Sequence, residues 1–229
     1  MRNSKTMMAL IALSAITMAT GFVRLTGLAG TNRVAAAECG AADVTIPGGL
    51  FRVARGRAFG ALNAAAEAQD EVAYRNAACV LAALARHEIA RNPINADGWM
   101  TLADAVARRN RIDRLPPLDD EVKKAFAHAR AFGRLEYPII SRRVEFLAFY
   151  SGEGPSYGQL LDEEVNLFLQ YTSPGQAMNY LCYMVMEMDE AETARVRGAV
   201  ERMRPDALPT FDNVLWRMRE GTFPHMPRG

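Results

Sequence analysis

The chain has 229 residues, of which 50% are hydrophobic and 23% are charged. This composition is typical of a folded protein, and a chain of this length can bury one continuous hydrophobic core. The 27 basic and 26 acidic residues leave a net charge of +1. Nucleic-acid-binding proteins usually carry a clear basic excess, so we expect no nucleic-acid partner.

The first 24 residues predict a membrane anchor. Residues 7–23 contain no charged side chain, and Arg2 and Lys5 precede them. A helix of that length rises about 26 Å, close to the thickness of the hydrocarbon core of a bilayer. The basic start favours a cytoplasmic N-terminus, so we expect a single-pass inner-membrane protein whose C-terminal domain lies in the periplasm.

A secretory signal peptide is the alternative for the same segment. Ala35, Ala36 and Ala37 offer the small residues that signal peptidase needs. This site lies beyond Arg24 and Arg33, well past the end of the apolar segment. The distance favours an uncleaved anchor over a periplasmic or secreted protein released by cleavage.

After a linker at residues 25–48, residues 49–220 are predicted to form a helical domain, followed by a flexible tail at 221–229. Apolar residues recur at helical spacing, for example at Ala77, Val80, Leu81 and Leu84. No segment alternates apolar and polar residues long enough to predict a sheet, so the expected fold class is all-α. Prolines and glycines divide the domain into about nine helices, at 50–68, 71–91, 96–109, 119–133, 139–151, 157–171, 174–188, 190–203 and 208–220.

Two helix starts carry a capping-box pattern, in which a serine and a glutamine three residues later satisfy free backbone N–H groups. The pairs are Ser156 with Gln159 and Ser173 with Gln176. Pro174 follows the second serine, at a position where a helix tolerates a missing N–H.

An internal repeat is present in the first half of the domain. Pro93, Trp99, Leu102 and Ala103 correspond to Pro138, Val144, Leu147 and Ala148, each 45 residues later. A period of this size over pairs of helices is typical of a helical solenoid, in which each pair buries its apolar face on the next.

The first copy resembles a tetratricopeptide repeat (TPR), which has a proline, a large aromatic residue, a leucine and a small residue at these places. The resemblance covers residues 71–151. It departs from the family in its longer period, which we attribute to an inserted loop from Arg109 to Asp120, and in Val144 at the aromatic position. The chain is also similar to small anchored TPR-like proteins that accompany exopolysaccharide assembly.

The resemblance implies a concave groove lined by the first helix of each pair. Phasing from Trp99 places Asp97, Met100, Asp104 and Arg108 of the first copy, and Arg142, Glu145 and Phe149 of the second copy, on that inner face. A groove with mixed charges and an apolar floor suits a peptide or a helix of a partner protein.

Local catalytic motifs are missing from the sequence. His87 and Glu88 begin like the zinc-protease motif, but Arg91 stands where the second histidine is needed. His128 and His225 have no cysteine or carboxylate pattern beside them, and the acidic run 162–164 is interpreted as a solvated helix start. We predict no catalytic residue, metal site or cofactor, although an enzyme with a non-local active site stays an alternative.

Sulfur-containing residues provide a second alternative. Cys182, Met184, Met186 and Met188 are soft ligands that would suit Cu(I) in a periplasmic protein, with residues 182–188 as the metal-binding helix. Methionines at this spacing are also common core residues. The three cysteines, Cys39, Cys79 and Cys182, allow one disulfide, whose pairing the sequence does not assign.

The densest basic patch consists of Arg108, Arg109, Arg111 and Arg114. It could attract an anionic polysaccharide or lipid headgroups, but the nearby acidic residues favour a solvated loop. Together these observations predict a membrane-anchored periplasmic adaptor or scaffold. Its expected partners are other envelope proteins or peptides, with exopolysaccharide assembly as the suggested setting.

Overall fold

The computed structural model describes residues 51–171 and 174–222, and these ranges contain helices and no strand. The all-α class is thereby confirmed for the described residues. Their nine α-helices are α1 (Phe51–Glu67), α2 (Glu71–Arg91), α3 (Ala96–Ile112), α4 (Asp120–Phe132), α5 (Tyr137–Tyr150), α6 (Pro155–Tyr171), α7 (Pro174–Val185), α8 (Glu190–Met203) and α9 (Leu208–Arg219). A short 3-10 helix, Ser151–Glu153, joins α5 to α6.

The predicted anchor at 1–24, the linker at 25–48 and most of the tail lie outside the described residues. Across the described ranges, no helix combines the length and the apolar character needed to cross a membrane.

Two predicted helix ends differ from those in the structure. Residues 109–112 continue α3 instead of starting an inserted loop, because buried Asn110 anchors this last turn through its side chain. Its amide donates to the Pro116 carbonyl at 3.3 Å and to the Asp119 carboxylate at 2.8 Å. The loop after α3 therefore covers residues 113–119. The second difference is at α7, which ends at Val185, three residues before the predicted end at residue 188.

Helix capping differs from the sequence prediction. The predicted box at Ser156 is wrong, because α6 begins at Pro155 and Ser156 already lies in the first turn. Ser173 lies outside the described residues. A complete capping box occurs instead at α8, where the Asp189 carboxylate accepts from the Glu192 N–H at 2.7 Å and Glu192 accepts from the Asp189 N–H at 3.1 Å.

Polar contacts join every second helix. Among the odd-numbered helices, Asp97 of α3 pairs with Arg55 of α1 and Arg142 of α5, and the Ser141 hydroxyl of α5 donates to Met184 Sδ of α7 at 3.6 Å. The even-numbered helices are joined in the same way, by Arg86–Glu121, Arg130–Glu163, Arg130–Glu164 and Arg202–Asp162.

The odd-numbered helices α5 and α7 run in the same direction. Tyr137 packs on Tyr180 with ring centroids 5.3 Å apart, and Ser141 contacts Met184 one turn further along both helices. The helices α3 and α5 also run in the same direction, because Asp97 contacts Arg142 and the later residue Arg111 contacts the later residue Phe149. Contacts that join odd-numbered helices to each other, and even-numbered helices to each other, are those that an array of helix hairpins would have.

The repeated positions lie mostly in the core. Leu102, Ala103, Val144, Leu147 and Ala148 are all buried, and one hydrophobic cluster extends from α1 to α9. Trp99 is only partly buried. Its ring stacks on His128 of α4 with centroids 4.4 Å apart, and its indole N–H donates to the Pro93 carbonyl at 2.7 Å. The ring therefore closes the outer edge of the α3–α4 pair instead of filling its centre.

The interpretation of residues 162–164 as a solvated helix start is wrong. These acids lie in the middle of α6, and Glu164 is fully buried. The equally buried Arg143 donates to Glu164 at 2.9 Å and to the Gly133 carbonyl at the end of α4, also at 2.9 Å. This pair ties α4, α5 and α6 together.

Candidate functional site

Two adjoining cavities form a groove along the odd-numbered helices. The larger has a volume of about 730 Å³ and is lined mainly by α3, α5 and α7. The smaller, of about 500 Å³, lies toward the junction of α1 and α2. The two share Arg108, Phe149 and Tyr150, so they are parts of one continuous feature, which we call the groove.

Six of the seven residues predicted for the inner face line the larger cavity. They are Met100, Asp104, Arg108, Arg142, Glu145 and Phe149. Met100 is only 1% exposed and forms part of the floor, whereas Phe149 is 42% exposed on the wall. The phasing of the two repeat copies therefore brings these residues together, although their role in binding is a prediction.

Asp97, the seventh residue, does not line either cavity. Its two carboxylate oxygens accept separately from Arg55 and Arg142. Asp97 thus joins the first turn of α3 to α1 and α5, and its observed contacts are with this chain's own arginines.

A charged network forms the wall between the two cavities. Arg108 donates to Asp104 one turn earlier and to the Tyr74 hydroxyl of α2, both at 2.8 Å. Burial acts to lower the pKa of Arg108, but Asp104 and Tyr74 together raise it above its usual value. The guanidinium is therefore permanently charged and held in place.

The predicted basic patch is distributed among separate contacts. Arg109 donates to Asn110 Oδ1 at 2.6 Å, and Arg111 lies over the Phe149 ring with its guanidinium carbon 4.7 Å from the centroid. Arg108 to Arg111 belong to α3, so the interpretation of this patch as a solvated loop is wrong for them; Arg114 alone lies beyond the helix.

Glu145 occupies the middle of the groove wall. Although the residue is exposed, the surrounding helices partly desolvate the carboxylate, and burial raises its pKa above the usual value. Arg142 and Arg108 act to lower the pKa of Glu145, and Asp104 acts to raise it. Glu187, in the turn after α7, faces the same cavity.

Tyr150 lies at the junction of the two cavities with an unsatisfied hydroxyl. The residue is only 3% exposed, and its oxygen has no hydrogen-bond partner among the described residues. Burial and then the nearby Asp104 raise the pKa of Tyr150 well above its usual value, so the hydroxyl keeps its proton. A buried hydroxyl without a partner costs about 1–3 kcal/mol, which a bound polar group would relieve.

Aromatic residues on α7, which the sequence did not predict, complete the groove. Tyr180 and Tyr183 are 43% and 48% exposed and line the larger cavity opposite α5. Burial, followed by the neighbouring Tyr180, raises the pKa of Tyr137 to about 12. One feature of the sequence could have predicted these tyrosines. Ser141 and Met184 are 43 residues apart, as are Tyr137 and Tyr180, and both pairs are in contact.

The histidines and acids considered for catalysis do not converge. On α2, Glu88 pairs with Arg55 at 3.6 Å and accepts from Asn95 at 2.6 Å, whereas His128 is stacked between Trp99 and Phe132. His225 lies outside the described residues. Within the described ranges, no group of three or more histidine, cysteine, aspartate or glutamate side chains is placed to hold a metal ion.

The four sulfurs considered for copper are in different surroundings. Cys182 is a free, buried thiol that donates to the Phe211 carbonyl at 3.5 Å, and burial followed by Asp212 raises its pKa to about 12. Metals bind the thiolate, which this environment disfavours. Met184 and Met188 line the groove, and Met186 is exposed.

In its described part, the chain is an all-α protein with an aromatic and charged groove. No protein-family model, curated protein or solved structure significantly matches this chain. Function is therefore inferred from the groove itself.

Proposed function

We propose that this chain is a membrane-anchored periplasmic adaptor or scaffold and that its groove binds a segment of a partner envelope protein. The observation that carries the proposal is the unsatisfied Tyr150 hydroxyl at the centre of the groove. Exposed aromatic rings and a floor of buried apolar residues surround it. Such a combination of apolar contact area and a few oriented polar groups is typical of binding sites.

A TPR-like solenoid is the architecture that fits this role. Its support is the 45-residue repeat, in which Asp97 and Arg142 occupy equivalent places and pair with each other. The alternating contacts among odd-numbered and among even-numbered helices agree with it. In such arrays the concave face presents an extended surface to a partner.

Binding fits the groove better than catalysis does. The described residues that line it include no histidine, cysteine or lysine, and the Ser141 hydroxyl is directed at Met184 Sδ. Arg108 is paired with Asp104, and Arg142 with Asp97. A nucleophile with an adjoining base, as hydrolytic enzymes need, is not found among these side chains.

The proposed compartment follows from the N-terminal anchor predicted by the sequence. Cys79 is disulfide-bonded, which agrees with an oxidising compartment such as the periplasm. The setting in exopolysaccharide assembly is proposed from the resemblance to small anchored TPR-like proteins.

Site-specific photocrosslinking in cells would test the proposal. A photoreactive phenylalanine analogue would replace Tyr183 in the groove or, as a control, Trp216, which is 59% exposed on α9 and does not line the groove. We expect the Tyr183 position to give a defined adduct whose partner and crosslinked segment mass spectrometry identifies. The same adducts from both positions, or none from Tyr183, would contradict the proposal.

A further inference from the structure

We infer that the segment bound in the groove is cationic, with lysine or arginine side chains that contact the carboxylates and aromatic rings of α5 and α7. This inference rests on the proposed function and adds the chemical class of the partner. It follows from which charges in the groove are already paired and which are not.

The groove has an acidic excess. Among the described residues, its carboxylates are Asp70, Glu71, Asp104, Glu145, Glu187 and Glu192, and its basic side chains are Arg108, Arg111 and Arg142. A cavity lined by one sign of charge attracts and orients partners of the opposite sign.

The arginines of the groove are already engaged within this chain. Arg108 contacts Asp104 and Tyr74, Arg142 contacts Asp97, and Arg111 lies over Phe149. Because Arg108 and Arg142 are ion-paired, they offer little to an anionic ligand. Arg111, which has no carboxylate partner among the described residues, lines only the smaller cavity.

Among the described residues, three of these carboxylates are left for a partner, Glu71 in the smaller cavity and Glu145 and Glu187 in the larger one. Within the described residues, neither Glu145 nor Glu187 has an ion-pair partner or a side-chain hydrogen bond. Glu145 is partly desolvated in the middle of the wall, where an unpaired negative charge is unfavourable. Arg142 and Arg108 act on Glu145 only at a distance, and a lysine or arginine of the partner would supply a direct ion pair.

The aromatic rings match the same kind of ligand. Phe149, Tyr180 and Tyr183 expose between 42% and 48% of their area beside these carboxylates. Lysine and arginine pack their aliphatic stems on such rings and place their charge over the ring face. Arg111 already lies over one face of Phe149, so Tyr180 and Tyr183 are the rings that remain for a cation of the partner.

Fluorescence anisotropy on the full chain in detergent would test the inference. The probe is a fluorescein-labelled peptide of alternating lysine and leucine, and its competitors are a matched glutamate–leucine peptide and an anionic polysaccharide. We expect the lysine peptide alone to bind, and its affinity to fall when salt is raised from about 50 to about 200 mM.

Charge removal in the groove provides the decisive comparison. The double variant Glu145→Gln/Glu187→Gln should bind the lysine peptide with an affinity about tenfold lower, or lower still. The control Glu201→Gln removes an exposed carboxylate from α8, outside the groove, and should leave affinity unchanged. Thermal unfolding followed by circular dichroism would verify that every variant is folded.

The inference is overturned if the double variant binds the lysine peptide as tightly as the original chain, or if only the anionic polysaccharide binds. Photocrosslinking separates this failure from failure of the adaptor role. A partner crosslinked at Tyr183 through an acidic or uncharged segment would retain the adaptor role and reject the cationic one.

Discussion

At the scale of single residues, two side chains occupy backbone positions that favour glycine. Gln69 follows α1 with a φ of 54°, and Arg114 follows α3 with a φ of 57°. Each closes its helix with the hydrogen bonds of a Schellman motif, such as Asp70 N–H to the Ala65 carbonyl at 2.9 Å. Gly221, with a φ of 65°, fills the equivalent position after α9.

Replacing either side chain by glycine should stabilise the fold. We expect Gln69→Gly and Arg114→Gly each to raise the free energy of unfolding by about 0.5–1 kcal/mol, because glycine adopts a positive φ without strain. Urea unfolding would measure the change. As a control, Gly221→Ala should lower the free energy of unfolding by a similar amount. A destabilisation by Arg114→Gly would show that this strain is absent.

Glu145 should link stability to pH. Burial raises its folded-state pKa above the unfolded value. Its contribution to stability is therefore present at pH below the unfolded pKa and is lost as pH rises through the folded pKa. At neutral pH the ionised carboxylate disfavours the folded state.

The variant Glu145→Gln should accordingly stabilise the free protein at neutral pH and bind the lysine peptide more weakly than the original chain does. The gain should be at most about 0.5 kcal/mol, since the carboxylate is partly open to solvent, and it should vanish below about pH 4. Urea unfolding at several pH values would measure it. A variant less stable than the original chain at neutral pH would contradict the assignment.

At the scale of helices, the sequence predicted the elements better than their ends. The helices from α1 to α9 follow from apolar periodicity and from prolines, both of which are local signals. The end of α3 was missed because the long repeat period was attributed to a loop inserted from Arg109, whereas the contacts of buried Asn110 extend the helix. Such tertiary contacts have no local signature.

The buried pair Arg143–Glu164 should dominate the junction of α4, α5 and α6. We expect Arg143→Met to cost about 3–5 kcal/mol, because it leaves Glu164 in the core with Arg130 alone. The double variant Arg143→Met/Glu164→Leu should cost less, since no buried charge is left without its partner.

An exposed pair of similar geometry provides the control for this prediction. Arg202 contacts Asp162 at 2.7 Å, with the arginine side chain 57% exposed, so Arg202→Met should cost at most about 1 kcal/mol. Urea unfolding would compare the three variants. Equal losses for Arg143→Met and Arg202→Met would contradict the importance of burial.

At the scale of the whole molecule, the sequence predicted one wall of the groove and missed the other. The inner-face residues of α3 and α5 followed from the phase of the repeat. Tyr180 and Tyr183 were missed because no repeat was recognised beyond Gly152, and the spacing of 43 residues becomes evident only when α5 and α7 are seen side by side. Asp97 had the right phase, but its carboxylate holds α1, α3 and α5 together.

The central claim is that the odd-numbered helices form the binding surface, and the methionines of the chain test it most directly. Met100, Met184 and Met188 line the groove, whereas Met203 of α8 and Met218 of α9 do not. The measurement is methyl NMR of methionine-labelled protein with a spin-labelled lysine–leucine peptide. We predict that the signals of the three groove methionines broaden while those of Met203 and Met218 stay sharp. Broadening of Met203 and Met218 without the groove methionines, or of none, would contradict the claim.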